Sequence, residues 1–399
     1  MKKKRCLGTV IRGIRTPIIK KGDNLVKITI DSLMEASQYE GFTFNDKDII
    51  GLTEGIVAKA QGNYVSVDEI ALDIKRKFSC EHLGIVYPIL SRNRFSLCLK
   101  GIARASKKIT MLLTYPTDEV GNPILAKEKM EQYNINPYND IILKEKYDTL
   151  FKDYLHPFTG VNMVQVYQDI ALEEGCQIEF VFSNNPLTIL NYTKNVLVSN
   201  IHQREETKEK IIQAGAKIVY TLCDIMNESI NNSGYNKEYG LLGSNKAEKE
   251  ILKLFPTEAF DIINDIQKEM KRLTGKTLEV LVYGDGAFKD PVMGIWELAD
   301  PVVSPFYTSG LEGTPNEIKL KYIADNKFKN LEGLKLQEAI KKEIKEKKDN
   351  LKDCDNNLGT TPRKITDLLG SLCDLTSGSG DKGTPLVLIQ GYFDDYASD

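Results

Sequence analysis

Leu278-Glu279-Val280-Leu281-Val282-Tyr283-Gly284-Asp285-Gly286-Ala287-Phe288 sets the frame for the chain. Residues 278–283 read as a buried strand that delivers an acidic side chain between two glycines. Small neighbours let a phosphate or a hydrated cation approach the backbone closely. A carboxylate beside phosphates typically holds Mg²⁺ or Mn²⁺ through oxygen and leaves the other positions to water and nucleotide. The same residues also describe a tight turn closed by an Asx-type hydrogen bond. Locally the two readings weigh about equally.

Outward from this strand, residues 256–273 carry Phe260, Ile263, Ile266 and Met270 at helical spacing. Further on, a helix including Leu368 to Leu375 precedes Thr376-Ser377-Gly378-Ser379-Gly380-Asp381-Lys382-Gly383 and a strand from Leu386 to Ile389. Successive small residues expose backbone N–H groups that form an anion-binding nest, or else a flexible connection. The G-K-[ST] ending of a Walker A loop is missing. Residues 335–353 mix lysine and glutamate around Leu336, Ile340 and Ile344, the pattern of a solvated amphipathic helix.

Toward the N-terminus the pattern predicts a strand at Leu7–Ile11, a Pro17–Gly22 loop, a helix at Leu25–Ser37, a strand from Asp48 to Lys59 leading into a turn, and a helix at Val67–Phe78. In Thr53-Glu54-Gly55-Ile56-Val57-Ala58-Lys59-Ala60-Gln61-Gly62 the lysine is either a point charge for phosphate or an ordinary surface lysine, the commoner outcome. Between these ends, strand-like Ile109–Leu113, Ile178–Phe182, Asn195–Val198 and Lys217–Leu222 alternate with helical Met163–Glu174 and Glu205–Ala214, as βαβ units do. Asn231-Asn232-Ser233-Gly234 marks a boundary. The expected fold class is α+β, with a core built from 1–78 and 236–399 and an inserted α/β region of βαβ type at 79–235.

Bulk properties narrow the function. Over 399 residues, 53 basic and 56 acidic side chains give a net charge of −3, which supplies no positive field for nucleic acid. Cys6, Cys80, Cys98, Cys176, Cys223, Cys354 and Cys373 are scattered, without the spacing of a thiolate zinc site. His82, His156 and His202 stand far apart, and no H-E-x-x-H pair occurs. Neither a signal peptide nor a membrane-spanning run is evident, so the cytoplasm is the expected location. Asp118 and Glu119, with Ser91-Arg92-Asn93-Arg94 upstream, offer either a site for an acidic substrate or ordinary surface charge.

Taken together, Gly13-Ile14-Arg15-Thr16-Pro17-Ile18-Ile19-Lys20-Lys21-Gly22-Asp23 and Val57-Ala58-Lys59-Ala60-Gln61-Gly62 resemble the opening of coenzyme F420:L-glutamate ligases, a G-I-P-x-I-x-x-G-D type loop followed by a V-x-K-A-E-G type turn. Gly243-Ser244-Asn245 is similar to the family's D-R-S-N element, Val282 to Phe288 to its V-S-D-T-F-G element, and Asp374 to Gly391 to its closing helix, glycine turn and strand. The resemblance covers roughly 7–75 and 240–391 and leaves the middle as added material.

The resemblance implies an amide-forming ligase that uses GTP (or ATP) and Mg²⁺ or Mn²⁺ to join an amino acid, glutamate in the family, to a small-molecule carboxylate acceptor, in a homodimer. It implies nucleotide contacts at Thr16, Pro17, Ile18, Ile19, Glu54, Gly55, Lys59, Asn245, Ser377, Gly378, Ser379, Gly380 and Asp381. It places metal at Asp285 and Ser379, and catalytic roles at Asp285 and Lys59. The chain departs from the pattern in three places: the acid of D-R-S-N falls on Leu242, the threonine after the metal aspartate on Gly286, and a serine-lysine pair on Glu54-Gly55. Asp290, Asp118 and Glu54 are the acids available to replace the one missing at Leu242. Competing readings are a regulatory nucleotide-binding protein that has lost the chemistry, and a ligase for a different acceptor.

Overall fold

The computed structural model describes residues 6–91, 94–157, 160–284, 288–289, 296–297, 302–347, 363–378 and 380–398. Its central sheet is ordered Val10–Ile14, Leu386–Gln390, Ile49–Thr53, Glu279–Tyr283, Phe306–Tyr307. The two ends of the chain therefore share one sheet, with Val10 opposite Gln390 and Ile14 opposite Leu386. That register starts the first strand three residues later than the expected Leu7. All neighbours are antiparallel except Ile49–Thr53 and Glu279–Tyr283, which run parallel with Thr53 opposite Tyr283.

Strands covered on both faces need apolar side chains on both. Ile50, Leu52, Val280, Val282, Leu386 and Leu388 pack in one cluster with residues of the helices Leu25–Glu40 and Phe260–Thr274. Ile49, Leu281, Tyr283, Val387 and Ile389 pack in another with Leu369 and Cys373 of the helix Ile365–Thr376. Gly51 permits the closest approach of that helix, because a Cβ there would lie 2.5 Å from the Cys373 Sγ and 3.2 Å from the Tyr283 ring.

The expected strand through Lys59 stops at Thr53, where the helix Glu54–Gln61 begins. The Thr53 hydroxyl accepts the Ile56 N–H at 3.4 Å, an N-cap that satisfies one open donor of the first turn. Gly62 ends the helix in the left-handed region, at φ 67°.

The middle of the chain forms a six-stranded sheet ordered Ile142–Leu143, Gln177–Phe182, Lys108–Leu113, His82–Val86, Asn195–Val198, Ile218–Thr221. Only the edge strand Ile142–Leu143 is antiparallel. Numbered along the chain, the five parallel strands run 3-2-1-4-5, the doubly wound order. Its apolar core takes in Val67, Ile70, Ile74 and Phe78 from the preceding helix and Leu241, Leu242, Leu252 and Leu254 from beyond residue 235. Helix Val67–Phe78, assigned above to the N-terminal segment, thus packs its apolar face into the parallel-sheet unit. A third sheet, ordered Asn245–Glu248, Ile251–Lys253, Tyr64–Ser66, joins the two larger ones.

Asp118 and Glu119 have structural partners here. The buried Asp118 carboxylate accepts N–H groups from Leu90, Val120 and Asn122 and the Asn122 side-chain amide, at 2.8–3.1 Å. Glu119 accepts the backbone N–H groups of Ile201, His202 and Gln203, just ahead of the helix Arg204–Gln213.

Burial raises the Asp118 carboxyl to about 6, against the pull of those donors. The folded chain therefore keeps this proton between about pH 4 and pH 6 while the unfolded chain releases it. Its stabilising contribution is full below about pH 4 and is lost as pH rises through the folded value. Asp118→Asn, which cannot ionise, should gain on the wild type by about 2–3 kcal/mol between pH 4 and pH 7. Urea melts at the two pH values test this, and a stability difference independent of pH would refute it.

Candidate functional site

Parallel strands that end together release their chains at one edge of a sheet, where ligand sites of such sheets form. Beyond Thr53 and Tyr283 lies a cavity of about 670 Å³, within the size range of small-molecule sites. Thr53, Glu54 and Gly55 bring the start of the helix Glu54–Gln61 to it, and Tyr283 and Gly284 bring the end of the neighbouring strand. Asp374 and Ser377 come from the end of the helix Ile365–Thr376, and Asn245, Lys246, Ala247 and Lys253 from the small sheet.

Four of the expected nucleotide contacts, Glu54, Gly55, Asn245 and Ser377, meet at this cavity. Gly284 does too, directly before Asp285. Asp285, Gly286 and Ser379 lie outside the described residues, as does Asp290. Thr16, Pro17, Ile18, Ile19, Lys59, Gly378, Gly380 and Asp381 are not among the lining residues. Thr16 nonetheless donates its N–H to Gly383 at 3.3 Å, so the first loop and the closing glycine turn lie side by side. Gly378 bridges to Thr384 within that turn. Ile18 is exposed and Ile19 is buried in the core.

Lys59 is exposed in the last turn of its helix, at the end where the macrodipole already favours a cation. Two lysines, Lys246 and Lys253, reach the cavity instead, and the Lys253 Nζ lies 2.8 Å from Glu54 Oε1. Sequence reading missed it because nothing in Ile251-Leu252-Lys253 marks a ligand site. Its placement comes from pairing, since Lys253 stands opposite Asn245 on one side and Tyr64 on the other.

The Leu242 departure has a structural basis: the side chain is buried in the core of the parallel-sheet unit, where a carboxylate would be desolvated. Of the three acids proposed to replace it, Glu54 lines the cavity, Asp118 is committed to its loop, and Asp290 is outside the described residues. Among the described residues no group of three or more His, Cys, Asp or Glu side chains is placed to hold a metal ion. Glu54 and Asp374 give the described wall two carboxylates. Burial pushes the Tyr283 phenol up, with a smaller opposing effect from the Ser377 hydroxyl.

Residues 13–391 match the family described as F420-0:gamma-glutamyl ligase, and the chain belongs to that family. The match runs through the parallel-sheet unit as well as the central sheet. No curated protein matches the chain. Membership makes it a ligase-family enzyme, and among the described residues no helix is long and apolar enough to cross a membrane.

Proposed function

We propose that the chain is a nucleoside-triphosphate-dependent ligase that forms an amide between an amino acid, glutamate in the first instance, and a carboxylate acceptor, with GTP the preferred nucleotide and a homodimer the expected assembly. The observation that carries this is the cavity itself. It gathers a helix N-terminus, two lysines, two carboxylates and Asn245 at the ends of two parallel strands.

The helix start favours phosphate because its open N–H groups and macrodipole both attract negative charge. Glu54 and Asp374, with Asp285 next in the chain after the cavity residue Gly284, suit Mg²⁺ or Mn²⁺, which take oxygen donors and are content with one or two carboxylates beside water and phosphate. When bound, such an ion would neutralise phosphate charge and align the triphosphate. The acceptor carboxylate attacks the γ-phosphorus and releases nucleoside diphosphate. The amine then attacks the acyl carbon, forming the C–N bond and releasing inorganic phosphate and a proton. The protein's contribution is to position the reactants and stabilise charge.

Calorimetric titration of the chain with GTP and ATP in the presence of Mg²⁺ or Mn²⁺, followed by incubation with glutamate and the deazaflavin coenzyme precursor, tests this. Binding of GTP and phosphate release that requires both glutamate and acceptor are expected. Binding indifferent to metal, without phosphate release, would favour a regulatory protein, and turnover only with another carboxylate would move the acceptor assignment. Failure to bind either nucleotide would refute the reading.

A further inference from the structure

We infer that Lys253 is the phosphate-contacting cation of this cavity and that Glu54 holds its ammonium in place until a nucleotide arrives; the inference rests on the nucleotide reading above. Lys253 Nζ is 2.8 Å from Glu54 Oε1, with both side chains largely buried at the cavity wall. The same nitrogen is 3.3 Å from where a Cβ at position 55 would stand. The space that a side chain at 55 would enter therefore already holds an ammonium from another strand. Position 55 is where the resembling ligases carry the lysine of their serine-lysine pair, and here it is glycine. A lysine at 55 and a lysine at 253 deliver charge to one region by different routes.

The electrostatics fit an anion at this point. The helix Glu54–Gln61 begins at the cavity, so its partial positive charge adds to that of Lys253. The carboxylate of Glu54 now occupies the position an incoming anion would take beside the ammonium. Exchanging that carboxylate for a phosphate oxygen keeps the half-buried ammonium paired throughout, and this avoids the cost of an unpaired buried charge. The strand bearing Lys253 is the middle one of its sheet, hydrogen-bonded on both sides, so the base of the side chain is fixed. Lys246 also borders the cavity but is exposed, and would lose more side-chain freedom on ordering. Lys59 lies five residues along the helix from Glu54, about 7 Å toward the opposite end.

The test is calorimetric binding of GTP and of ATP, each with Mg²⁺, to the full chain and to three variants: Lys253→Met, Lys59→Met, and Gly55→Lys combined with Lys253→Met. Lys253→Met should weaken binding by about 10- to 100-fold, as loss of a charge-assisted contact does. Lys59→Met should change it by less than about threefold, the scale of a surface substitution. The relocated lysine should recover most of the loss, because removing the Lys253 ammonium clears the space beside position 55. Should Lys253→Met fold poorly, the Glu54→Gln/Lys253→Met pair removes both charges and is expected to show the same loss. Unchanged nucleotide affinity in Lys253→Met, with the wild type binding, overturns the inference and leaves the ligase reading standing. No recovery in the relocated variant also overturns it. Absence of nucleotide binding by the wild type sinks both together.

Discussion

Asp73→Ala is expected to lower the unfolding free energy by about 3–5 kcal/mol, the cost of breaking a buried ion pair by removing one partner. Asp73 is fully buried on the helix Val67–Phe78. Its carboxylate binds Arg76 and Lys77 at 2.8 Å each, and accepts the Met226 backbone N–H at 2.6 Å. Met226 sits at φ 58°, in the region that side-chain-bearing residues rarely adopt, so its conformation depends on that hydrogen bond. Lys77 also donates to the Asn227 side chain at 2.9 Å and to the Asp224 carbonyl. One carboxylate thereby joins the helix to the segment 224–227, which leads from the parallel sheet back toward the cavity. Alanine leaves the Lys77 ammonium largely buried and the Met226 N–H without its acceptor. Asp73→Asn keeps one acceptor oxygen and should cost less. Denaturant melts of both variants check this; a loss below about 1 kcal/mol for alanine would contradict the assignment of Asp73 as the joint.

The fold was legible wherever local pattern decides it. Asn195–Val198 forms as expected, and the helix at Val67–Phe78 is framed by its own capping box from Ser66 and Glu69. His82–Val86, the central strand of the parallel sheet, was not assigned: His82 and Gly84 interrupt the apolar run, and Gly84 is needed because a Cβ there would meet Ile189 at 2.6 Å. A close tertiary approach of that kind leaves no local signature. The boundary at 78 has the same explanation, since the partner of the helix before it is chosen by packing, with Gly101 admitting Ile70 to within 2.6 Å of a Cβ position.

The site divides along similar lines. Glu54, Gly55, Asn245 and Ser377, named through the family resemblance, stand at element ends that line the cavity. Lys59 was assigned to nucleotide by the family resemblance, while its local pattern favoured a surface lysine. Thr53 caps a helix and carries Lys59 toward the far end. Lys253 required knowledge of which strands pair, and pairing across nearly two hundred residues of sequence is invisible to a window.

Glu54→Gln is expected to reduce ligation turnover by at least about 100-fold, given that even the outer partners of metal ligands cost 10- to 100-fold when changed. Leu242 stands where the resembling ligases place a carboxylate, and of the acids named to replace it Glu54 lines the cavity. Glutamine keeps the size of the side chain and an oxygen for the Lys253 ammonium, so melting temperature should change little. What it removes is the negative charge that an oxygen-seeking divalent ion requires. Half-maximal activation should therefore move to higher Mg²⁺ or Mn²⁺ concentration. If Glu54 served Lys253 alone, the metal titration would stay where it was. A metal titration of turnover beside calorimetry on the same variant separates the two roles, because under the proposed reading Glu54 would hold the Lys253 ammonium while the cavity waits and would offer its carboxylate to a divalent ion once a triphosphate is bound.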